Sequence, residues 1–323
     1  MRLSQPTVSV VMANYNGARH LDAAIASVLR QTLTDLELII VDDCSTDNGP
    51  EIVAAWAQRD PRVLLIVQPN NQGPGAARNR ALDIAKGRWI AIVDSDDELA
   101  PERLSRLITR AQADEALIVA DNQTIFTETG AFAPHRLLDD EHFSRPQWIT
   151  AADFVRGGVM YGRGPDFGFL KPLISAEALG AQRYDERLRI GEDYDLLLRL
   201  LTKAGRLRLE PAELYRYRKH PQSISHRLKP EHLVEMLQAQ DRFRRQAGLV
   251  PPELCAALDQ RARSLRTALA YERVIAGLKA GAVGSSLAAV AAHPPIWPLL
   301  LEPVKARLRR LTRPKGQIAA AEA

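Results

Sequence analysis

Cysteine is scarce: two residues in 323, Cys44 and Cys255, far apart and without metal-type spacing. That excludes a disulfide framework and a zinc site, and it fits a reducing compartment. Long apolar runs are missing too. No uncharged stretch reaches the ~20 residues that a spanning helix needs. The nearest approach, 280–301, is broken by Pro294, Pro295 and Pro298. The apolar stretch near the N-terminus is too short for a signal peptide and is interrupted by Pro6. A cytoplasmic chain is therefore expected, peripheral at most on the inner face of the cell membrane. No basic stretch is interleaved with aromatics in a recognisable module, which argues against nucleic acid as a partner. There is no internal repeat, and low complexity is confined to the Ala-rich tail.

What remains is an ordinary soluble composition, 46% hydrophobic and 25% charged. The length allows one large α/β domain and a smaller appendage. The formal net charge of +4 hides an asymmetry: residues 1–225 carry −4 and residues 226–323 carry +8. The two parts are expected to meet different partners.

The first hundred residues alternate. TVSVVM (7–12) reads as a strand, and Leu21, Ile25, Val28 and Leu29 recur at helical spacing. ELIIV (37–41), VLLIV (63–67) and WIAIV (89–93) read as further strands. Helices are expected over 51–58 and 75–86, the second closed by Gly87 as C-cap. Continuous apolar strands separated by helices predict a parallel sheet covered on both faces. Another strand is expected over 116–120, irregular chain over 122–170, and an apolar helix over 194–201. Residues 226–323 read as mostly helical, with a break near His293-Pro294-Pro295.

Ligands of such sheets bind beyond the carboxyl ends of the strands. Three of these ends are polar: Ala13-Asn14-Tyr15-Asn16-Gly17, Asp42-Asp43-Cys44-Ser45-Thr46-Asp47 and Asp94-Ser95-Asp96-Asp97. Three carboxylates in the last cluster repel one another unless a cation or donors neutralise them. Hard oxygen ligands there suit Mg²⁺ or Mn²⁺. The same residues also read as an acidic helix start before Pro101. Asp43 reads as an acceptor for a base or ribose, or as part of a turn. Tyr15 reads as a stacking platform or a loop anchor. Arg78 reads as a cation near phosphate or a surface charge. Asp193, in Gly191-Glu192-Asp193, reads as a helix-dipole partner or a general base.

Four pieces in order resemble family 2 glycosyltransferases: VSVVMANYNGARHLDAAIASVLRQTLTDLELIIVDDCSTD, NNQGPGAARNRALDIAKGRWIAIVDSDD, GEDYDLLLRL and YRYRKHPQSIS. Together they span roughly residues 5–228. The phrases DFGFLKPLI and RYDERLRIGEDYDLL are similar, more narrowly, to bacterial exopolysaccharide glucosyltransferases of the succinoglycan type. The resemblance implies an α/β GT-A fold over 1–228 and a basic helical extension over 229–323, membrane-associating or oligomerising.

It also implies roles. Ala13 and Tyr15 would line a uracil pocket, and Asp43 would hydrogen-bond the base. Arg78 would lie near base or phosphate, Asp94 would contact ribose or the metal shell, and Ser95 would help bind the nucleotide sugar. Asp96 would ligate the metal, and Asp193 would be the catalytic base. Arg218 and His220 would belong to a loop closing over the diphosphate. The implied reaction is inverting transfer of a hexose, from UDP-glucose first of all, to a lipid-linked oligosaccharide. The processive QxxRW motif is absent, which favours single addition. Two rivals are a nucleotidyltransferase and a silent sugar-nucleotide-binding scaffold. The first is disfavoured because ANYNG stands where its glycine-rich loop would be, the second because Asp96 and Asp193 are both present. The segment IWPLLLEPVKARLRRL (296–311) reads either as a membrane-interface helix meeting anionic lipid or as a helix packed on the domain. Oligomeric state is open, a homodimer included.

Overall fold

The computed structural model describes residues 5–162, 164–220, 228–282, 284, 290–291 and 294–300. In chain order the elements begin β1 (Val8–Asn14), α1 (Ala18–Leu29), β2 (Leu36–Asp42), α2 (Gly49–Arg59), β3 (Val63–Val67), α3 (Pro74–Leu82) and β4 (Trp89–Ile92). There follow β5 (Glu98–Leu99), α4 (Arg103–Ala113), β6 (Ile118–Phe126), β7 (His135–Arg136), α5 (Asp140–Phe143), β8 (Gln147–Thr150) and α6 (Ala151–Gly157). A 3₁₀ turn (Phe167–Phe169) leads to β9 (Leu173–Ser175), α7 (Ala176–Leu179), α8 (Glu192–Ala204), β10 (Arg206–Arg218), α9 (Pro230–Gln246) and α10 (Pro252–Lys279).

The strands form one sheet in the order β3-β2-β1-β4-β9-β6-β10-β5. The first four are mutually parallel, β9 runs antiparallel between β4 and β6, and β10 is parallel to β6. Strand periodicity sorts the core into two layers. On one side Val8, Val10 and Met12 of β1 and Leu38 and Ile40 of β2 meet α1 and α4. On the other Val11, Ile39 and Val41 meet α3, α6 and α8. Leu21, Ala24, Ile25 and Val28 of α1, and Leu104, Leu107, Ile108 and Ala111 of α4, show the spacing that such burial requires. Phe243 of α9 and Leu254, Ala257 and Leu258 of α10 join the second layer.

Several sequence expectations need correction. β3 is not covered on both faces: it closes one end of the sheet, and Leu64 and Val67 are 46% and 53% exposed. Gly87 is not a helix C-cap, because α3 ends at Leu82. Gly87 instead lets the chain pass Ser9, whose backbone N would lie 2.3 Å from an added Cβ. The stretch 122–170 is not irregular. It holds β7, α5, β8 and α6, the last begun by a capping box between Thr150 and Asp153. The 13-residue β10 went unforeseen; its register shifts between Glu210 and Glu213, around Pro211.

Candidate active site

Two strand ends build a rigid rim by hydrogen bonding to themselves. Asn14 Nδ2 donates to Asp42 Oδ2 at 2.7 Å, and Asp42 also accepts from Ser45 N and Oγ at 2.8 and 2.7 Å. Asp43 is 2% exposed. Its oxygens accept from Gln68 Nε2 at 2.6 Å and from the backbone N of Gln72 and Gly73 at 2.8 and 2.7 Å. It thus ties β2 to the turn that launches α3, where Gly73 has φ +97°. Beside this rim Tyr15 is 49% exposed. Ala13 is half-buried at the end of β1, and Ser95 Oγ lies 3.1 Å from where a Cβ on Gly17 would sit.

The third strand end splits its carboxylates. Asp97 is fully buried; it accepts from Tyr215 Oη at 2.7 Å and Arg218 N at 2.7 Å. It is not a helix cap, since β5 intervenes and α4 begins only at Arg103. Burial, then the neighbouring Asp96 and Asp94, push the Asp97 carboxyl well above the ordinary range. Asp96 is half-exposed, and His220 Nε2 lies 2.9 Å from its Oδ2. The His220 ring packs on that of His20, centroids 5.1 Å apart. His20 on α1 is buried, and burial, aided by Arg218, lowers its pKa. Carboxylate oxygens of Asp94, Asp96 and Asp97 lie within 4.8 Å of one another.

Arg218 does not sit in a closing loop. It ends β10, is 5% exposed, and spends its guanidinium on Asp96 O, Glu98 and Glu128. It therefore clamps the acidic turn from behind. The rest of the motif, 221–225, lies outside the described residues.

Asp94 faces inward to a buried ion network. Arg78 Nη2 reaches it at 2.7 Å, while Arg78 Nη1 reaches Glu192 at 2.8 Å and Asp193 at 3.6 Å. Arg78 is thus not a surface charge; it is 5% exposed and locked among carboxylates. Lys171 Nζ bridges Asp94 Oδ2 at 2.7 Å and Asp193 Oδ2 at 2.6 Å. Burial alone would raise the Asp94 and Asp193 carboxyls; the two cations outweigh it and hold both below the usual range. Burial likewise opposes charge on Arg78 and Lys171, but the carboxylates win and raise both pKa values. Glu192 goes the other way: burial and then Asp193 raise it.

Asp193 and Glu192 are presented by the first turn of α8, whose N-cap Gly191 has φ +86° and no side-chain cap. The helix dipole favours the anionic form of both, for Asp193 in step with its cations and for Glu192 against its burial. Lys171 escaped the sequence reading. It stands just before β9, and its carbonyl accepts from Arg103, a fully buried arginine paired with Asp121 at 2.7 Å. The signal available was a lysine followed by Pro172 inside an apolar run, an unusual place for a charge.

The site thus joins the acidic end of β4 to the carboxylates at the start of α8 through two buried cations. Comparison with known proteins gives the family and the fold. The profile described as Glycosyl transferase family 2 matches residues 9–174. Succinoglycan biosynthesis protein ExoO of Rhizobium meliloti (strain 1021) is 38% identical over 309 residues, 95% of this chain and 87% of that protein. ExoU of the same organism, also named for succinoglycan biosynthesis, is 32% identical over 65% of this chain and 61% of its own. Among solved structures, S. aureus TarS 1-349 in complex with UDP-GlcNAc superposes with TM-score 0.63 and 20% identity, covering 78% of this chain and 70% of that one. Mannosyltransferase PcManGT from Pyrobaculum calidifontis, in complex with GDP-Man and Mn²⁺, gives TM-score 0.61 and 20% identity over 95% and 81%. The fold is GT-A, and the chain belongs to glycosyl transferase family 2, resembling the succinoglycan-type enzymes.

Proposed function

We propose that this chain is an inverting hexosyltransferase that moves glucose from UDP-glucose to a hydroxyl of a lipid-linked oligosaccharide during exopolysaccharide assembly. The observation that carries the reading is the linkage of the Asp94–Asp97 turn to Asp193 through Arg78 and Lys171. On this reading the Asp94–Asp97 turn serves the diphosphate of the donor and Asp193 serves the acceptor hydroxyl. The names of the succinoglycan relatives and the UDP-GlcNAc bound to TarS support the substrate class.

On this reading Tyr15 and Ala13 line the base pocket, and Asp43 holds the loop that meets the base. Asp193 takes the proton from the acceptor hydroxyl. That oxygen attacks the anomeric carbon from the face opposite the diphosphate, the carbon–oxygen bond to UDP breaks, and the anomer inverts. Arg78 and Lys171 keep Asp193 ionised and aimed.

The acidic turn fits a divalent cation. Its carboxylates crowd within 4.8 Å, and a cation there would relieve their mutual repulsion. Asp96, with Asp94 in the shell and His220 alongside, would hold Mg²⁺ or Mn²⁺, which supplies positive charge to the departing diphosphate.

The 229–323 region, with its excess of positive charge, is read as an extension of the 1–228 transferase domain that meets anionic headgroups at the inner membrane face. No helix among the described residues is long and apolar enough to cross a membrane. The segment 301–311, with Lys305, Arg307, Arg309 and Arg310, lies outside them, as does Arg313. Flotation of the full chain with anionic vesicles is expected; a chain that stays at the bottom of the gradient refutes this part. A donor screen with a membrane extract as acceptor tests the whole. UDP-glucose should give a β-linked product, and absence of transfer from any nucleotide sugar would sink the proposal.

A further inference from the structure

We infer that Arg261, on α10, is a positioning residue for Asp193, acting through the ring of Tyr194. The inference rests on Asp193 being the base. Tyr194 follows Asp193 in the first turn of α8, so anchoring its ring holds the backbone turn that carries Asp193. The Arg261 guanidinium lies over the Tyr194 ring at 3.8 Å from the centroid. Phe154 of α6 stacks on the same ring at 4.6 Å, with planes 25° apart. Two groups this close to one centroid must take opposite faces, so the ring is held between α6 and α10. Gly158 lets it in, because a Cβ there would stand 2.6 Å from Tyr194 Cε2.

Arg261 is itself enclosed, at 6% exposure. Its Nη1 donates to Gln240 Oε1 at 2.9 Å, and Gln240 Nε2 donates to Leu258 O at 2.9 Å. Its Nε has no hydrogen-bond partner among the described residues, so the ring face is what meets much of this buried cation. α9 supports the same turn of chain. Met236 Cε lies 3.1 Å from where a Cβ on Gly191 would be, against the N-cap of α8. Arg242 reaches Asp185 at 2.7 Å, holding the loop that leads into it. The C-terminal helices therefore brace the catalytic helix start.

Purified full-length Arg261→Met, Arg261→Lys, Tyr194→Leu and Asp193→Asn variants test this, each measured for kcat, UDP affinity by calorimetry, and Tm. Arg261→Met is expected to lose roughly 10–100-fold in kcat, the scale of a small misplacement. UDP affinity should stay within about twofold, since the donor wall is untouched. Arg261→Lys, which keeps a cation over the ring, should recover much of the loss. Joining Arg261→Met to Tyr194→Leu should cost no more than the worse single change. An unchanged kcat, a parallel fall in UDP affinity, or no rescue by lysine overturns the inference. If Arg261→Met does not fold, Arg261→Gln is measured in its place on the same criteria. Asp193→Asn separates the two ideas. Normal turnover there defeats the base assignment and this inference with it; a dead Asp193→Asn beside a normal Arg261→Met defeats only the inference.

Discussion

Lys171→Met removes one of the two cations that hold Asp193, and its consequences can be worked from the geometry. Lys171 is 7% exposed and touches Asp94 and Asp193 at 2.7 and 2.6 Å. Methionine fills similar space without charge. Breaking a buried ion pair by removing one partner costs about 3–5 kcal/mol. At ~2.1 cal/mol/K per residue, unfolding 323 residues carries ~0.7 kcal/mol/K, so Tm should fall by about 4–7 °C. The catalytic signature is separate. Asp193 has its carboxyl depressed, so it is ionised through the neutral range and gains a proton only as pH falls through its folded value. Loss of a cation this close should raise that value. The acid limb of the kcat–pH profile, followed as labelled sugar transferred to a membrane extract, should move up accordingly. The stabilising contribution of Asp193 has the same sign. It is present above the unfolded carboxylate pKa of ~3.9 and fades as pH drops through the folded one, so the variant should also lose its stability at higher pH on acidification. A variant with an unmoved acid limb and an unchanged Tm would refute the reasoning that Lys171 governs Asp193.

Asp96→Ala should weaken UDP binding by at least ~10-fold in the presence of Mn²⁺ and leave metal-free binding unchanged, as titration calorimetry would show. Equal affinity of the wild type with and without metal would count against a metal ligand there. Gly158→Ala forces a methyl against Tyr194, 2.6 Å from Cε2, and should cost about 1–3 kcal/mol in thermal or urea unfolding. A neutral result would mean that the Tyr194 ring is free to shift.

The parallel half of the sheet was readable because its signal is local. Apolar runs such as ELIIV and WIAIV alternate with helical spacing, and their carboxyl ends carry Asp43 and Asp94–Asp97 on the two strands that flank β1. Which acid does what was not readable, because partners come from far away. Asp97 reads as a helix start until Tyr215 and Arg218, more than 100 positions later, cover it from β10. Arg78 reads as a surface charge until the first turn of α8 closes over it. Lys171 gains meaning only because β9 enters the sheet between β4 and β6 and swings it toward Asp94. The capping box at Thr150 and Asp153 is by contrast a local signal, carried by residues three apart. The exposure of β3 follows from sheet order, which no apolar run declares.

Asp193→Asn tests the proposed chemistry most directly. Asparagine keeps the size of the side chain and removes its capacity to take a proton. With UDP-glucose and a membrane extract as acceptor, transfer should fall by about 10²–10⁴-fold while UDP binding is retained. Turnover near that of the wild type, with UDP bound equally well, would contradict the assignment of Asp193 as the base.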